Sequence, residues 1–418
     1  MIRAEMMQTE AVSEGRESEL PRFHQRLVIV SHVTHFRAAG RLHAYAPYAR
    51  EIEIWADLFD EIVIAAPSRE AEPPGDCAPI GRANVRVAPQ RELGGETLGA
   101  KIKLAFATPL IAWELCMAMR GADAIHVRCP GNIAVLGTVL APLFSNKLVA
   151  KFAGQWSPGR DEPWSTRFQR SVLRSRWWRG PVTVYGRWPD QPAHVIPFFS
   201  SALTNEQLTR ARSAIARRPP DNLRHVLFVG RLSRAKNADI LLEALGQLRR
   251  EGARFTATIA GEGPQLPSLQ KLATDLGLNE IVQFTGGVSF EKIIELLEHS
   301  GILVLASETE GWPKAIVEAM AFGLVTVGSQ VGLVPEIMGE GRGLMVKPRD
   351  VEALAATIRN VLAAPEQYAE MRARAAEWAS HYSIESLRES LRSLLAESWS
   401  LPIENEPKVR RKPSAVLS

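Results

Sequence analysis

The sequence predicts an α/β protein built as two doubly wound, parallel-sheet domains in series. Three observations carry the prediction. Short apolar runs of strand length alternate with longer helical stretches, the alternation stops in the segment RARSAIARRPPDN, and beyond that segment it starts again. The 418 residues are too many for one ordinary hydrophobic core, so the length agrees with two.

Residues 1–25 are polar and irregular and are expected to form a disordered tail. The first domain, 26–207, opens with LVIVSHV (27–33), an apolar run bounded by polar residues, as a buried strand requires. EIVIAAP, NVRVAP, AIHVRCP and KLVAKFAG have the same character, and helical stretches over 45–59, 98–119 and 132–144 separate them. The arginine- and proline-rich segment makes 208–222 a linker. The second domain, 223–380, repeats the pattern with strands HVLFVG, FTATIAG, IVQFTG, ILVLAS and LVTVGS, and with helices over 238–250, 265–276, 289–298 and 351–364. A further helix within 381–400 follows a domain that already looks complete, and 401–418 is expected to be a disordered tail.

Composition excludes several classes. The three cysteines, Cys77, Cys116 and Cys129, have no CxxC spacing, which argues against a disulfide framework and structural zinc and for a reducing, cytoplasmic setting. The densest apolar run, 133–144, is far short of the roughly 20 residues that span a bilayer. His32, His35 and His43 cluster after the first strand without the Cys, Asp or Glu set that a metal site needs, so no metal is expected. AGEGPQL starts like a dinucleotide fingerprint, but Leu266 stands where the third glycine belongs.

Two motifs in the second half carry chemistry. In VGRLSRAKNADILL, Arg231, Arg234 and Lys236 stand between a strand and a helix. A helix N-terminus is already positive, so cations there are unfavourable unless an anion such as phosphate sits among them. In SETEGWPKAIVEAMAFG, Glu310 lies in the loop after a strand, Pro313 suits the first helical turn, and Glu318 lies more than one turn into the helix. Separate contacts with one extended ligand suit this spacing better than a catalytic carboxylate pair. An exposed loop acid and an ordinary helix acid suit it equally. Gly311 would allow close approach of the backbone.

GRLSRAK, IAGEGPQLPSLQKLATDLGL, VQFTGGVS and SETEGWPKAIVEAMAFG, in that order, resemble the carboxyl-terminal half of the retaining GT-B glycosyltransferases of family 4, the group 1 glycosyltransferases. The resemblance implies two facing Rossmann-like domains, with the helix of 381–400 crossing back to the first. It implies a retaining, metal-independent transfer of sugar from a nucleotide-diphosphate sugar, without further cofactor, to a glycan or lipid-linked acceptor. Arg231 and Lys236 match the basic pair that holds the donor diphosphate. Glu310 and Glu318 match the acids of the E-x7-E motif, the first at the donor sugar and the second at the ribose. Arg231, Lys236 and Glu310 thus become the catalytic candidates, and Gly311, Trp312, Pro313 and Gly40 join them as donor-binding candidates. A nucleotide-sugar epimerase, a phosphorylase and a non-catalytic partner protein are the alternative readings.

The first half matches only in general. Where relatives commonly read His-x-His, this chain has His126, Val127 and Arg128, and KFAGQW places Gly154, Gln155 and Trp156 where another histidine is frequent. Arg128 and Trp156 are the acceptor candidates, Arg128 at even odds with a structural ion pair. Between 166 and 186, Arg167, Arg170, Arg174, Arg176 and Arg179 interleave with Phe168, Trp177, Trp178 and Tyr185. With a glycosyltransferase site behind it, this patch favours peripheral contact with an anionic membrane surface over nucleic acid.

Overall fold

The computed structural model describes residues 23–91, 98–158, 162–219 and 223–401, organised around two sheets. In chain order the first domain runs β1 (Phe23–Val30), β2 (His35–Ala38), β3 (Arg41–Tyr45), α1 (Ala46–Leu58), β4 (Phe59–Glu70), β5 (Cys77–Ile80), β6 (Val85–Gln90), α2 (Leu98–Met119), β7 (Ala124–Cys129), α3 (Asn132–Leu140), β8 (Lys147–Phe152), α4 (Trp164–Arg174), β9 (Val182–Tyr185) and β10 (Val195–Phe198). The order β10-β9-β8-β7-β1-β4 is parallel throughout, with β6 parallel to β4. A parallel sheet must be covered on both faces, and the period-two alternation of a strand divides its side chains between them. Val28 and Val30 face the core under α2, α3 and α4, whereas Leu27 and Ile29 face the core under α1.

The segment after β1 forms the antiparallel hairpin β2–β3. Gly40 occupies its exposed turn at φ +74°, with no protein atom within 4 Å of where a Cβ would stand. The backbone freedom of Gly40 therefore serves the turn and no close approach to another protein group.

The second domain comprises α5 (Asn205–Arg217), β11 (His225–Val229), α6 (Ala238–Arg250), β12 (Thr256–Ala260), α7 (Leu266–Asp275), β13 (Val282–Gly286), α8 (Phe290–His299), β14 (Ile302–Leu305), α9 (Lys314–Ala321), β15 (Val325–Ser329), α10 (Val334–Met338), β16 (Leu344–Val346), α11 (Val351–Ala363) and α12 (Ala369–Ala379). Most of the stretch read as a linker is α5. A capping box of Thr204 and Gln207 opens this helix, and Leu208, Ala211 and Ala214 pack into the second core. Proline and arginine density misled here because the apolar face of α5 is narrow. Arg210 binds Glu298, and Arg218 donates to the carbonyls of Leu297, Phe322 and Gly323, so the basic residues fasten the helix down.

All strands of the second sheet are parallel, in the order β13-β12-β11-β14-β15-β16. The last helix, α13 (Ile384–Ser398), crosses back as the resemblance implies. Its Leu387, Leu391 and Leu395 complete the first domain's core, and Trp399 donates from Nε1 to the carbonyl of Leu148 at 3.2 Å.

Candidate functional site

In the second sheet the strand order reverses between β11 and β14, so the loops that leave these neighbouring strands face each other across one gap. That topology brings together residues far apart in sequence. Lys236 Nζ lies 2.6 Å from Glu310 Oε1, and Ser307 Oγ donates to the same oxygen at 2.6 Å. Glu310 is 7% exposed. Asn237, left-handed at φ 49°, ties the two loops by donating from Nδ2 to the carbonyl of Ala306 at 2.9 Å, and its Oδ1 accepts from Arg349. Beneath them the β12 loop comes so close that a Cβ on Gly261 would stand 1.9 Å from the carbonyl oxygen of Gly230, and one on Gly263 2.3 Å from that of Leu232. No side chain fits there, which accounts for both glycines of AGEGPQL without a dinucleotide.

Glu318, on α9, is 8% exposed, and its carboxylate has no hydrogen-bond or ion-pair partner among the described residues. Burial raises its carboxyl above the usual range against the opposing charges of Lys314 and Arg50. Such a carboxylate can accept hydrogen bonds from a ligand's hydroxyls. Arg231 is exposed, and its charge and that of Glu318 both reach Tyr45 of the first domain.

The facing wall comes from the C-terminal ends of the first sheet. Glu51 of α1 receives Arg128 Nη1 at 2.5 Å and Lys151 Nζ at 2.9 Å. Burial alone would raise the Glu51 carboxyl, but Arg128 and Lys151 hold it well below the ordinary value. Lys151 also lies 5.5 Å from the centre of the Tyr185 ring. Lys314, at the first position of α9, is half-buried among these charges, and burial together with Lys151 pushes its ammonium down to about 8.

Several expected residues land elsewhere. Arg128 makes the ion pair that was one of its two readings. Trp156 is 2% exposed in the first core, edge-on to Phe152 at 5.2 Å, so it does not line an acceptor pocket. The Trp312 ring packs against Tyr185, Phe199, Trp378 and Tyr382 and joins the two domains, which removes its side chain from donor contact. Pro313 is buried at the N-cap of α9. Gly311 does serve close approach: a Cβ there would stand 2.9 Å from Tyr185 Cδ2 and 3.1 Å from the carbonyl oxygen of Ala153. His126 is fully buried, stacked on Trp55 at 4.5 Å, and burial with the Arg128 charge pushes its ring down to about 3. Among the described residues no three His, Cys, Asp or Glu side chains are placed to hold a metal ion.

The arginine patch is smaller than it reads. Glu162, just upstream, binds Arg170 and lies 3.8 Å from Arg167, while Trp178 and Tyr185 are buried. Arg174, Arg176 and Arg179 remain exposed beside Trp177. Residues missed in the sequence were Tyr45, Arg50, Glu51, Lys151 and Lys314. Glu51 was the most detectable, as an acid on the apolar face of α1.

Residues 211–378 match the family described as glycosyl transferases group 1. A glycogen synthase of Mycobacterium tuberculosis is 37% identical over 162 residues, 38% of this chain and 39% of that protein. A GDP-mannose-dependent alpha-(1-6)-phosphatidylinositol monomannoside mannosyltransferase of Mycolicibacterium smegmatis is 32% identical over 37% of this chain and 42% of its own length. The matches thus span about two-fifths of these relatives. The structure of Anabaena Alr3699/HepE in complex with UDP and glucose superposes with a TM-score of 0.66 at 18% identity, covering 89% of this chain and all of that one. The fold is GT-B.

Proposed function

With the second half of this chain belonging to the group 1 glycosyl transferases, we propose that the protein moves a sugar from a nucleoside diphosphate sugar, held by the second domain, to an acceptor held by the first, with retention of anomeric configuration. The observation that carries the reading is the Lys236–Glu310 pair at the strand-order reversal, with Arg231 and the unpartnered Glu318 beside the same crevice. In this reading Arg231 and Lys236 hold the diphosphate, Glu310 accepts from the donor sugar's hydroxyls, and Glu318 accepts from the ribose. As the anomeric carbon–oxygen bond breaks, its electron pair goes to the departing phosphate. The acceptor oxygen bonds to the same face of the anomeric carbon, and its proton passes to a phosphate oxygen. The two cations stabilise the charge that develops there. The test is a mass-spectrometric screen of UDP- and GDP-sugars against glycan and lipid acceptors, with the product anomer read by NMR. An inverted product would refute retention, and conversion of donor without acceptor would favour an epimerase.

The exposed apolar side chains support a lipid-linked acceptor. Phe106 is 84% exposed, Trp113 60%, Leu143 64% and Trp164 76%, and all belong to α2, α4 or the end of the α3 segment, over one face of the first sheet. Arg174, Arg176 and Arg179 border them, each worth about 1 kcal/mol near an anionic leaflet before screening. No helix of the described residues is long and apolar enough to cross a membrane. Contact with an anionic bilayer surface therefore suits this face. Co-sedimentation with anionic but not zwitterionic vesicles is expected, lost at high salt and weakened by Trp113→Ser or by changing the three arginines to Gln. Binding indifferent to lipid charge, salt and those substitutions would refute it.

A further inference from the structure

Four cations and two acids meet where the first domain faces α9: Arg50, Arg128, Lys151 and Lys314 against Glu51 and Glu318. The Glu51 carboxylate already serves both Arg128 and Lys151. The Lys314 ammonium has no hydrogen-bond or ion-pair partner among the described residues, its backbone N–H alone donating to the carbonyl of Trp312. It also begins α9, an eight-residue helix whose first amides add positive potential. Crowding like charges on half-buried groups is unfavourable unless something negative completes the set. The segment leading into α9 packs on the first domain, where a Cβ on Gly311 would stand 2.9 Å from Tyr185 Cδ2, and three of the charges that act on Lys314, Lys151, Glu51 and Arg128, belong to that domain, Glu318 being the fourth.

We infer that Arg128, Lys151 and Lys314 form a second anion site, across the crevice from Arg231 and Lys236, that takes a phosphate or carboxylate carried by the acceptor. The inference rests on the glycosyl-transfer reading, which assigns the acceptor to the first domain, the source of Arg128 and Lys151. An acidic acceptor would complete the charge balance and be oriented by it, with the Tyr185 ring beside Lys151 offering a flat apolar wall.

The experiment is calorimetric titration of the full chain, first saturated with UDP or GDP, whichever binds, using inorganic phosphate, D-glucuronate and, as neutral control, D-glucose. Saturable binding of phosphate or glucuronate but not glucose is expected, and the stronger of the two identifies the acceptor's acidic group. Lys314→Met and Lys151→Met should each weaken that binding at least tenfold while changing nucleotide affinity less than threefold, and Lys151→Arg should retain it. Three results would overturn the inference: no anion binding to the nucleotide-saturated protein, binding unaffected by both Met variants, or a tenfold loss of nucleotide affinity in them, which would make the donor diphosphate the occupant. Failure of both nucleotides to bind would instead count against the glycosyl-transfer reading, and phosphate titration of the free protein would then decide the anion site alone.

Discussion

Removing Lys236 should destabilise the ligand-free protein more than removing Lys236 and the Glu310 charge together. The sequence alone makes Lys236 a cation at an exposed helix entrance, dispensable for folding. The structure revises that, because its Nζ lies 2.6 Å from a carboxylate whose side chain is 6% exposed, while the Lys236 side chain is 27% exposed. Hydrogen bonds to charged groups contribute about 1.5–3 kcal/mol, and orphaning a buried charge costs about 3–5 kcal/mol. Ser307 still donates to the same oxygen, and Lys236 is partly solvated, so the lower end applies. Lys236→Met should cost about 2–3 kcal/mol, and Glu310→Gln about 1–2 kcal/mol. The double variant Lys236→Met with Glu310→Gln should also cost only about 1–2 kcal/mol, because neither charge is then left alone. Hydrogen-exchange mass spectrometry on peptides covering 230–237 and 306–313 measures local opening without assuming that two domains unfold as one. Single-variant costs that add to within about 0.5 kcal/mol in the double variant would show that the pair is not a unit and refute the reasoning.

Lys314→Met should stabilise the protein at pH 7 by up to about 3 kcal/mol, since a lysine held at about 8 in place of 10.5 carries a penalty of that size when charged. The penalty is complete below pH 8 and vanishes as the pH rises to 10.5, so the gap between variant and wild type should close over that window; a pH-independent gap in denaturant midpoints would contradict it. His126, held at about 3, and His35, held at about 4, are buried neutral rings with an ordinary value of 6.5, so stability is complete above pH 6.5 and falls as the pH drops towards those values. Near pH 5 the two together should have cost about 4 kcal/mol, and His35→Phe should flatten the decline; an unchanged slope would exclude His35 as a contributor. Gly261→Ala should abolish nucleotide binding in calorimetry, as its Cβ would stand 1.9 Å from a carbonyl oxygen at φ +151°. Gly277→Ala, at φ +69° in open space, should cost about 1 kcal/mol and leave binding intact; equal effects of the two would disprove the steric argument.

What the sequence determined by itself is local. Short apolar runs and the helical stretches between them depend only on near neighbours, and they located β1, β4, β6, β7, β8 and every strand of the second sheet except β16. They also gave the bounds of α2 and α6 as observed. The wording around Glu310 and Glu318 pointed to the crevice because a loop acid after one strand and a basic turn after another are both visible in one dimension. The tertiary structure decided the rest. Glu310 reaches Lys236, 74 residues away, only because the strand order reverses between β11 and β14. Arg128 finds Glu51, 77 residues away, because parallel strands place their C-terminal ends on one edge beneath α1. Trp156 and Trp312 read as ligand-facing, yet packing took one into a core and the other between the domains. Lys314 stood in the quoted phrase without remark. A lysine at the start of a helix is ordinary until a second domain brings Lys151 and Arg128 to face it, and charge crowding of that kind exists only between surfaces that the chain must fold to bring together.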